Sequence, residues 1–131
     1  MSQENVEIVR RVLPVKEKLP DEFLPYLHPE VEIIPSANFP ESEIFRGHAG
    51  FERWKTRWPS TFDEHEVTPT RFWDTGDQVV VALHERVKSA GSSFPFEDDF
   101  AHVWTFRDGA VTRIQIFDHL DEALEAAGLR K

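Results

Sequence analysis

The sequence predicts an α+β fold in which helices come first, an antiparallel sheet follows, and a short helix ends the chain. Two observations carry this prediction. Apolar residues recur at helical spacing in the first half of the chain, whereas from about residue 66 to 117 they alternate with polar residues, as in strands. At 131 residues the chain has the usual size of one domain, so we expect a single domain over 1–131.

The N-terminal part indicates two short helices and a strand. Ser2 is a good N-cap, and apolar residues at helical spacing follow it as far as Pro14: Val6, Val9, Val12 and Leu13. A second short helix is predicted at about 20–27, because Pro20 suits the first helical position and acidic residues follow it. The run HPEVEIIP predicts a strand around 31–34.

A loop and a third helix come next. Residues 35–47 hold two prolines and several small polar residues, which indicates a loop with a brief strand near Glu43 to Phe45. From Gly47 the helical pattern returns, with Phe51, Trp54 and Trp58 on one side, and Pro59 ends it. We expect Trp54 either to fix this helix to the sheet or to form a pocket wall.

Four strands are predicted at about 66–74, 78–88, 95–106 and 110–117, separated by turn residues. Because strands joined by short turns pair with their neighbours, they should form a meander. The last helix should pass through Ala123, Leu124 and Ala127 and end at Gly128.

The turn Asp108-Gly109 predicts the register of the last hairpin. A two-residue turn would place Phe106 opposite Val111, and the following pairs would share that face: Trp104 with Arg113, His102 with Gln115, and Phe100 with Phe117. This face combines aromatic residues with a few polar groups, as a small-molecule pocket does. A bulge in either strand would change the pairs that lie farther from the turn.

Charge and composition exclude several functions. The net charge of −9 repels phosphate backbones and anionic membranes, and the basic residues form no run, so we expect neither a nucleic-acid nor a membrane partner. The chain has no cysteine, which removes disulfides and thiolate metal sites. No histidine spacing suggests a metal site, so no cofactor is predicted. With no signal-peptide pattern at the N-terminus, a cytoplasmic protein is the simplest expectation.

Several stretches of the sequence resemble one known family. They are SQENVEIVRRVL, VEIIP, FRGHAGFERWKTRW, WDTGDQVVV and FAHVWTFRDGAVTRIQIFDHLDEALEAAGL, and they look like the SnoaL-like polyketide cyclase family of the nuclear transport factor 2-like, or ketosteroid-isomerase-like, superfamily. This resemblance implies a curved antiparallel sheet wrapped into a cone by helices, with a pocket between its concave face and the N-terminal helices. Family members include isomerases, cyclases and hydrolases, so the fold does not choose a reaction.

The resemblance also implies roles for single residues. His102 matches the strand position from which steroid isomerases donate a hydrogen bond to an oxyanion. Ile34 and Val12 stand where those enzymes have their general base and a tyrosine, so ketosteroid isomerase activity is not expected. SnoaL-type cyclases combine a histidine here with an aspartate in the last strand, and Asp118 can take that role only if the register shifts by a residue or two.

Each candidate also has a structural interpretation. His102 is equally well explained as a packed core histidine, and Asp118 better as the N-cap of the last helix. Arg113 beside Trp104 is either a cation–π pair, which we favour, or an anion anchor. Tyr26 and His28 are expected near the cone mouth, where they could supply a phenol and an imidazole.

Two functions remain open. The first is a small-molecule enzyme of the cyclase, isomerase or hydrolase type, in which His102 acts as an acid, base or oxyanion donor beside a small apolar or aromatic ligand. The second is a non-catalytic binding or dimerisation domain, as Ile34 and Val12 suggest. In both cases the second apolar face of the sheet, and the habit of the family, predict a homodimer through the sheet.

Overall fold

Three helices and seven strands make up the described parts of this computed structural model, which are residues 2–13, 15–16, 25–36, 44–57, 62–89 and 96–129. The helices are α1 (Ser2–Val12), α2 (Gly47–Arg57) and α3 (Leu120–Ala126). The strands are β1 (Val15–Lys16), β2 (Leu27–Ile34), β3 (Phe45–Arg46), β4 (Phe62–Asp74), β5 (Gln78–Ser89), β6 (Phe96–Arg107) and β7 (Ala110–Phe117). None of the helices in these ranges is long and apolar enough to cross a membrane.

The predicted second helix is the main difference among the elements. Residues 20–24 lie outside the described residues, as do Trp58 and positions 37–43 of the predicted loop. Leu27, predicted as the end of that helix, instead begins β2, four residues before the predicted strand. The polar residues His28 and Glu30 weakened the strand pattern there, although they alternate in the way a half-exposed strand allows.

The seven strands form one sheet in the order β1-β4-β5-β6-β7-β2-β3. Strands β4 to β7 are an antiparallel meander, as the turn signals predicted. Strand β2 adds to the edge of this meander in parallel pairing with β7, so the whole sheet is mixed. Register shifts within the β2–β7, β4–β5 and β6–β7 pairs mark bulges, which bend a sheet and increase its twist.

Helices cover the two faces of the sheet unequally. Helices α1 and α2 bury a large apolar cluster on one face, which includes Val9, Phe51, Trp54, Leu83, Trp104 and Ile114. Helix α3 buries a smaller cluster on the opposite face, around Val80, Ala101, Val103 and Ala123. We call the first face the inner face and the second the outer face.

Two contacts hold the inner-face helices at a fixed position. The side-chain amide of Asn5, itself buried, donates a hydrogen bond to the carbonyl oxygen of Gly76 at 3.2 Å, which ties α1 to the β4–β5 turn. Gly50 of α2 lies so close to β3 that a β-carbon at this position would approach the carbonyl carbon of Phe45 to 2.7 Å. Only glycine allows this approach of helix and strand.

The last hairpin follows the predicted register only near its turn. Asp108 and Gly109 both have positive φ angles, 53° and 81°, as expected for this dipeptide in a two-residue hairpin turn. Phe106 lies opposite Val111 as predicted. Beyond this pair the register shifts. Thr105 lies opposite Arg113, so Thr112 is an extra residue of β7 that lies opposite no single residue of β6.

This bulge makes the predicted pairing of His102 with Gln115 wrong. His102 instead lies opposite Ile116, and Trp104 lies opposite Ile114, so three apolar or aromatic neighbours share the inner face with the histidine. Gln115 lies opposite Val103 on the outer face. The turn sequence fixes only the pairs next to it, whereas one extra residue in a strand reverses the orientation of every residue beyond.

Candidate functional site

A cleft of about 120 Å³ opens on the inner face, between the ends of several strands and helix α2. Trp54 of α2 and Phe100 of β6 supply aromatic surface, and Ile116 of β7 adds an aliphatic side chain. The complete set of described lining residues is Pro35, Ser36, Trp54, Glu85, Asp98, Phe100, Ile116 and Asp118. The cleft thus combines an apolar wall with polar groups, the combination that small-molecule sites use.

Strand geometry explains why these side chains meet. Alternate residues of a strand point to the same face, so Asp98, Phe100, His102 and Trp104 of β6 all point to the inner face. Glu85 of β5 lies directly opposite Asp98 in the ladder, which brings two carboxylates to one rim of the cleft. Asp118 follows the end of β7 and contributes a third.

Glu85 and Asp98 were not among the residues that the sequence predicted for the pocket. A signal was nevertheless present, because Glu85 lies in phase with Val79, Val81 and Leu83, all of which are buried on the inner face. A carboxylate at an apolar phase of a strand indicates either a partner or a ligand. Among the described residues no group of three or more histidine, aspartate or glutamate side chains is placed to hold a metal ion.

His102 lies on the inner face, two positions along β6 from Phe100 of the cleft wall. Its two nearest same-face neighbours toward the cleft, Phe100 and the cross-strand residue Ile116, both line the cleft. The imidazole itself is 2% exposed. The ring of Phe100 meets it edge-on, with a centroid distance of 5.4 Å, and the ring of Trp104 is stacked at 6.3 Å on its other side.

The two ring nitrogens of His102 have different environments. Nδ1 lies 3.1 Å from Nε1 of Trp104, whose N–H donates to it. Nε2 is buried and has no hydrogen-bond partner among the described residues. Burial lowers the pKa of His102 from 6.5 to about 3, so the ring is neutral near pH 7. Leaving a buried polar group without a partner costs about 1–3 kcal/mol, which makes this nitrogen unusual in a folded core.

Four more of the predicted site residues lie at the cleft or next to His102. Asp118, Trp54 and Phe100 line the cleft, whereas Trp104 is buried behind His102. Asp118 is not the N-cap of the last helix, because α3 begins at Leu120 and its N-cap is His119, which makes no side-chain cap. The acidic residue that follows β7 is thus one position too early to cap the helix.

Arg113 and Gln115 lie on the face opposite to the cleft. The bulge at Thr112 turns both outward, and Nη2 of Arg113 lies 3.5 Å from Oε1 of Glu32 rather than over Trp104. The predicted cation–π pair of Arg113 with Trp104 is therefore wrong, since Trp104 points to the inner face. Neither residue belongs to the described residues that line the cleft.

Tyr26 and His28 make local contacts near the start of β2. The hydroxyl of Tyr26 accepts a hydrogen bond from Arg11 at 2.9 Å, which connects it to α1. Nδ1 of His28 accepts a hydrogen bond from the backbone N–H of Glu30 at 3.0 Å. Within the described chain, the cleft is lined without either of them.

Comparisons with known structures identify this architecture. TerC, crystallised with polyporic acid, is 24% identical over 98% of this chain and 92% of its own, with a TM-score of 0.67. An NTF2-like protein from Burkholderia xenovorans LB400 is 25% identical over 97% of both chains, with a TM-score of 0.69. A protein named as a SnoaL-like polyketide cyclase from Jannaschia sp. CCS1 is 20% identical over 99% of this chain and 94% of its own, with a TM-score of 0.73. The fold is therefore the NTF2-like α+β cone.

The family follows from a comparison with family models. The model of the SnoaL-like domain matches residues 15–114, from β1 to the middle of β7. The chain belongs to this family, as the resemblance of its sequence motifs predicted. A comparison with curated proteins finds no match.

Proposed function

We propose that this protein is a small-molecule enzyme of the cyclase or isomerase type. In this proposal the imidazole of His102 hydrogen-bonds to a substrate oxygen that becomes negatively charged, and a cleft carboxylate, Asp118, transfers the proton. The observation that carries the proposal is the buried Nε2 atom of His102, which has no hydrogen-bond partner within the described parts of the chain and lies on the same sheet face as the cleft. A polar atom kept unpaired in an apolar core is expected where a ligand supplies the missing partner.

The cleft supports both halves of such a reaction. Trp54, Phe100 and Ile116 offer apolar and aromatic surface for a ring system, and Asp118 lies at the same cleft. An acid–base carboxylate beside a neutral hydrogen-bond donor is sufficient for proton abstraction next to a carbonyl group. That TerC was crystallised with polyporic acid fits an aromatic ligand class.

Ketosteroid isomerisation is not part of the proposal. Ile34, at the place of the isomerase base, ends β2 next to Pro35 of the cleft wall and carries no group that transfers a proton. Val12 lies at the end of α1, and its side chain lies outside the described residues.

The experiment measures binding and turnover separately. Polyporic acid and phenol are titrated by calorimetry into the wild type, His102→Phe, Asp118→Asn and the outer-face control Gln115→Leu. We expect His102→Phe to weaken binding at least tenfold and Gln115→Leu to leave it unchanged, because His102 lies on the cleft face of the sheet and Gln115 on the opposite face. Aromatic β-keto esters are then incubated with each protein and examined by mass spectrometry. Turnover that is lost in Asp118→Asn while phenol binding persists supports the proposal, and equal binding by His102→Phe and the wild type contradicts it.

A second candidate is a binding domain without catalysis. It is favoured by the enclosure of His102, which is 2% exposed, and by the cleft volume of about 120 Å³, below the roughly 300 Å³ of typical ligand sites. Binding of polyporic acid without turnover of any tested ester would favour this candidate over the enzyme.

We further propose that the protein forms a homodimer through the outer face of the sheet. An open depression of about 370 Å³ lies there beside Leu120, and Thr70 and Ala82 line it. A second copy that covers it would bury this surface. Analytical ultracentrifugation should find the mass of a dimer, and a monomer at high concentration would contradict the proposal.

A further inference from the structure

We propose that Trp104 is a positioning residue that fixes the tautomer of His102, so that His102 is a dedicated hydrogen-bond donor for a carbonyl or enolate oxygen and not the base. This inference rests on the proposed function for its catalytic meaning, but the tautomer itself is a property of the protein without any ligand.

The hydrogen bond between the two side chains fixes which nitrogen of His102 carries the proton. An indole N–H can only donate, because its nitrogen has no lone pair available to accept. Nε1 of Trp104 lies 3.1 Å from Nδ1 of His102, so Nδ1 must be the acceptor and cannot carry a proton. A neutral imidazole with an unprotonated Nδ1 carries its proton on Nε2.

The two rings are held rigidly by their surroundings. Trp104 and His102 lie two positions apart on β6 and therefore point to the same face. Both are 2% exposed, and their rings are nearly parallel, with an interplanar angle of 26°. Tight packing leaves the imidazole little room to turn over, which would exchange its two nitrogens.

The other ring nitrogen of His102, Nε2, is left to interact with a ligand. Nε2 has no hydrogen-bond partner in the ranges that the structure describes, and it is an N–H donor because Nδ1 is unprotonated. A buried donor is satisfied by an acceptor atom, and a neutral donor held in an apolar site stabilises a developing negative charge on oxygen. The ligand class is therefore one that presents a carbonyl, enolate or phenolate oxygen to Nε2.

The role of the base then falls to another residue. A histidine acts as a base through an unprotonated nitrogen, and the only such nitrogen of His102 is occupied by the indole N–H. The acid–base step must come from a carboxylate of the cleft rim, and Asp118, Asp98 and Glu85 are the described candidates. Donor and base thus reside on different side chains.

The test is nuclear magnetic resonance of the protein labelled with ¹⁵N in histidine and tryptophan, near pH 7. The His102 signals are assigned by their loss in His102→Gln. We expect a protonated Nε2, an unprotonated Nδ1, and a scalar coupling between Nδ1 and the tryptophan Nε1 across the hydrogen bond. A protonated Nδ1 in the wild type overturns the inference, whether or not any variant folds.

Two variants separate the hydrogen bond from ring packing. Trp104→Phe keeps an aromatic ring but removes the donor, and the form protonated on Nδ1 should become measurably populated. Phe100→Leu removes the other ring contact and should leave the tautomer unchanged. If Trp104→Phe folds and keeps a single Nε2-protonated form, Trp104 does not set the tautomer.

Phenol, used as the probe, distinguishes failure of this inference from failure of the proposed function. Phenol binding should shift the Nε2 proton resonance of His102, because the phenol oxygen accepts a hydrogen bond from the Nε2–H group. Binding without such a shift overturns the donor role. Absence of binding, with the tautomer as expected, contradicts the proposed function and leaves the role of Trp104 in fixing the tautomer intact.

Discussion

Nδ1 of His84 lies 2.7 Å from Oδ1 of Asp99 on the outer face of the sheet, and Nε2 of the same ring lies 3.0 Å from Oε1 of Glu97. Only the protonated imidazolium can donate to both carboxylates at once. The hydrogen bonds to Asp99 and Glu97 therefore raise the pKa of His84 above 6.5. The neighbouring strand residue Glu85 points to the inner face, so the two adjacent ionisable residues serve opposite faces of the sheet.

This contact predicts a pH dependence of stability. Because the folded pKa of His84 is above the unfolded value, its contribution is fully present below about pH 6.5 and is lost as the pH rises through the folded pKa. His84→Gln should therefore lower the free energy of unfolding more at pH 6 than at pH 9. The ring is exposed, so the effect should be small and should shrink in salt. Urea unfolding at both pH values measures it, with His119→Gln as the control, and an equal loss at both pH values would refute the prediction.

His102 should make the protein less stable as the pH falls, the opposite of the pH dependence expected from His84. Its folded pKa of about 3 lies below the unfolded value of about 6.5, so between these values the unfolded chain binds a proton that the folded chain does not. Each unit of pH below 6.5 should cost up to about 1.4 kcal/mol from this residue.

His102→Phe removes that acid sensitivity. At pH 7 the variant should be less stable, because the indole N–H of Trp104 loses its acceptor. The difference from the wild type should become smaller or reverse toward pH 4.5, as measured by urea unfolding. A constant difference across this range would indicate that His102 becomes protonated in the folded protein at ordinary pH.

Replacement of Gly50 by alanine is expected to change stability in the direction opposite to that of helix propensity. Alanine is favoured over glycine inside a helix by about 1 kcal/mol, yet a β-carbon here would lie 2.7 Å from the carbonyl carbon of Phe45. Gly50→Ala should therefore destabilise the protein by about 1–3 kcal/mol through overpacking. The neighbouring Ala49→Gly, on an exposed position of α2, is the control that reports propensity alone. A rise in melting temperature for Gly50→Ala would show that α2 can move away from β3.

Loss of the Glu32 carboxylate is expected to lower the stability of the protein only slightly. Its carboxylate bridges Arg46 at 3.2 Å and Arg113 at 3.5 Å across β3, β2 and β7, but both arginine side chains are more than half exposed. Exposed ion pairs contribute about 0–1 kcal/mol. Glu32→Gln should lower the free energy of unfolding by no more than this, with a smaller loss at high salt. A loss of several kcal/mol would mean that the pair orders the β2 edge of the sheet.

The sequence predicted most elements because their signals are local. The period of apolar residues marked α1, α2 and the four strands of the meander, and Asp108-Gly109 marked its turn. The same local signals placed His102 among aromatic residues, whereas the possible place of Asp118 at the pocket came from the resemblance to the family. They did not place Glu85 at the cleft, because its cleft partners come from distant parts of the chain.

Tertiary structure decided which side chains meet. Nothing in the sequence marks Thr112 as the extra residue of a bulge, yet that bulge moves Gln115 and Arg113 to the outer face and places Ile116 opposite His102. The parallel pairing of β2 with β7 is likewise a contact between segments far apart in the chain. Local patterns determine secondary structure because they act through neighbouring residues, whereas register and partner choice depend on packing across the whole sheet. The sequence by itself determined an α+β cone with a histidine in its aromatic strand. The tertiary structure decided that one nitrogen of this histidine accepts a hydrogen bond from Trp104 and that the other has no partner among the described residues.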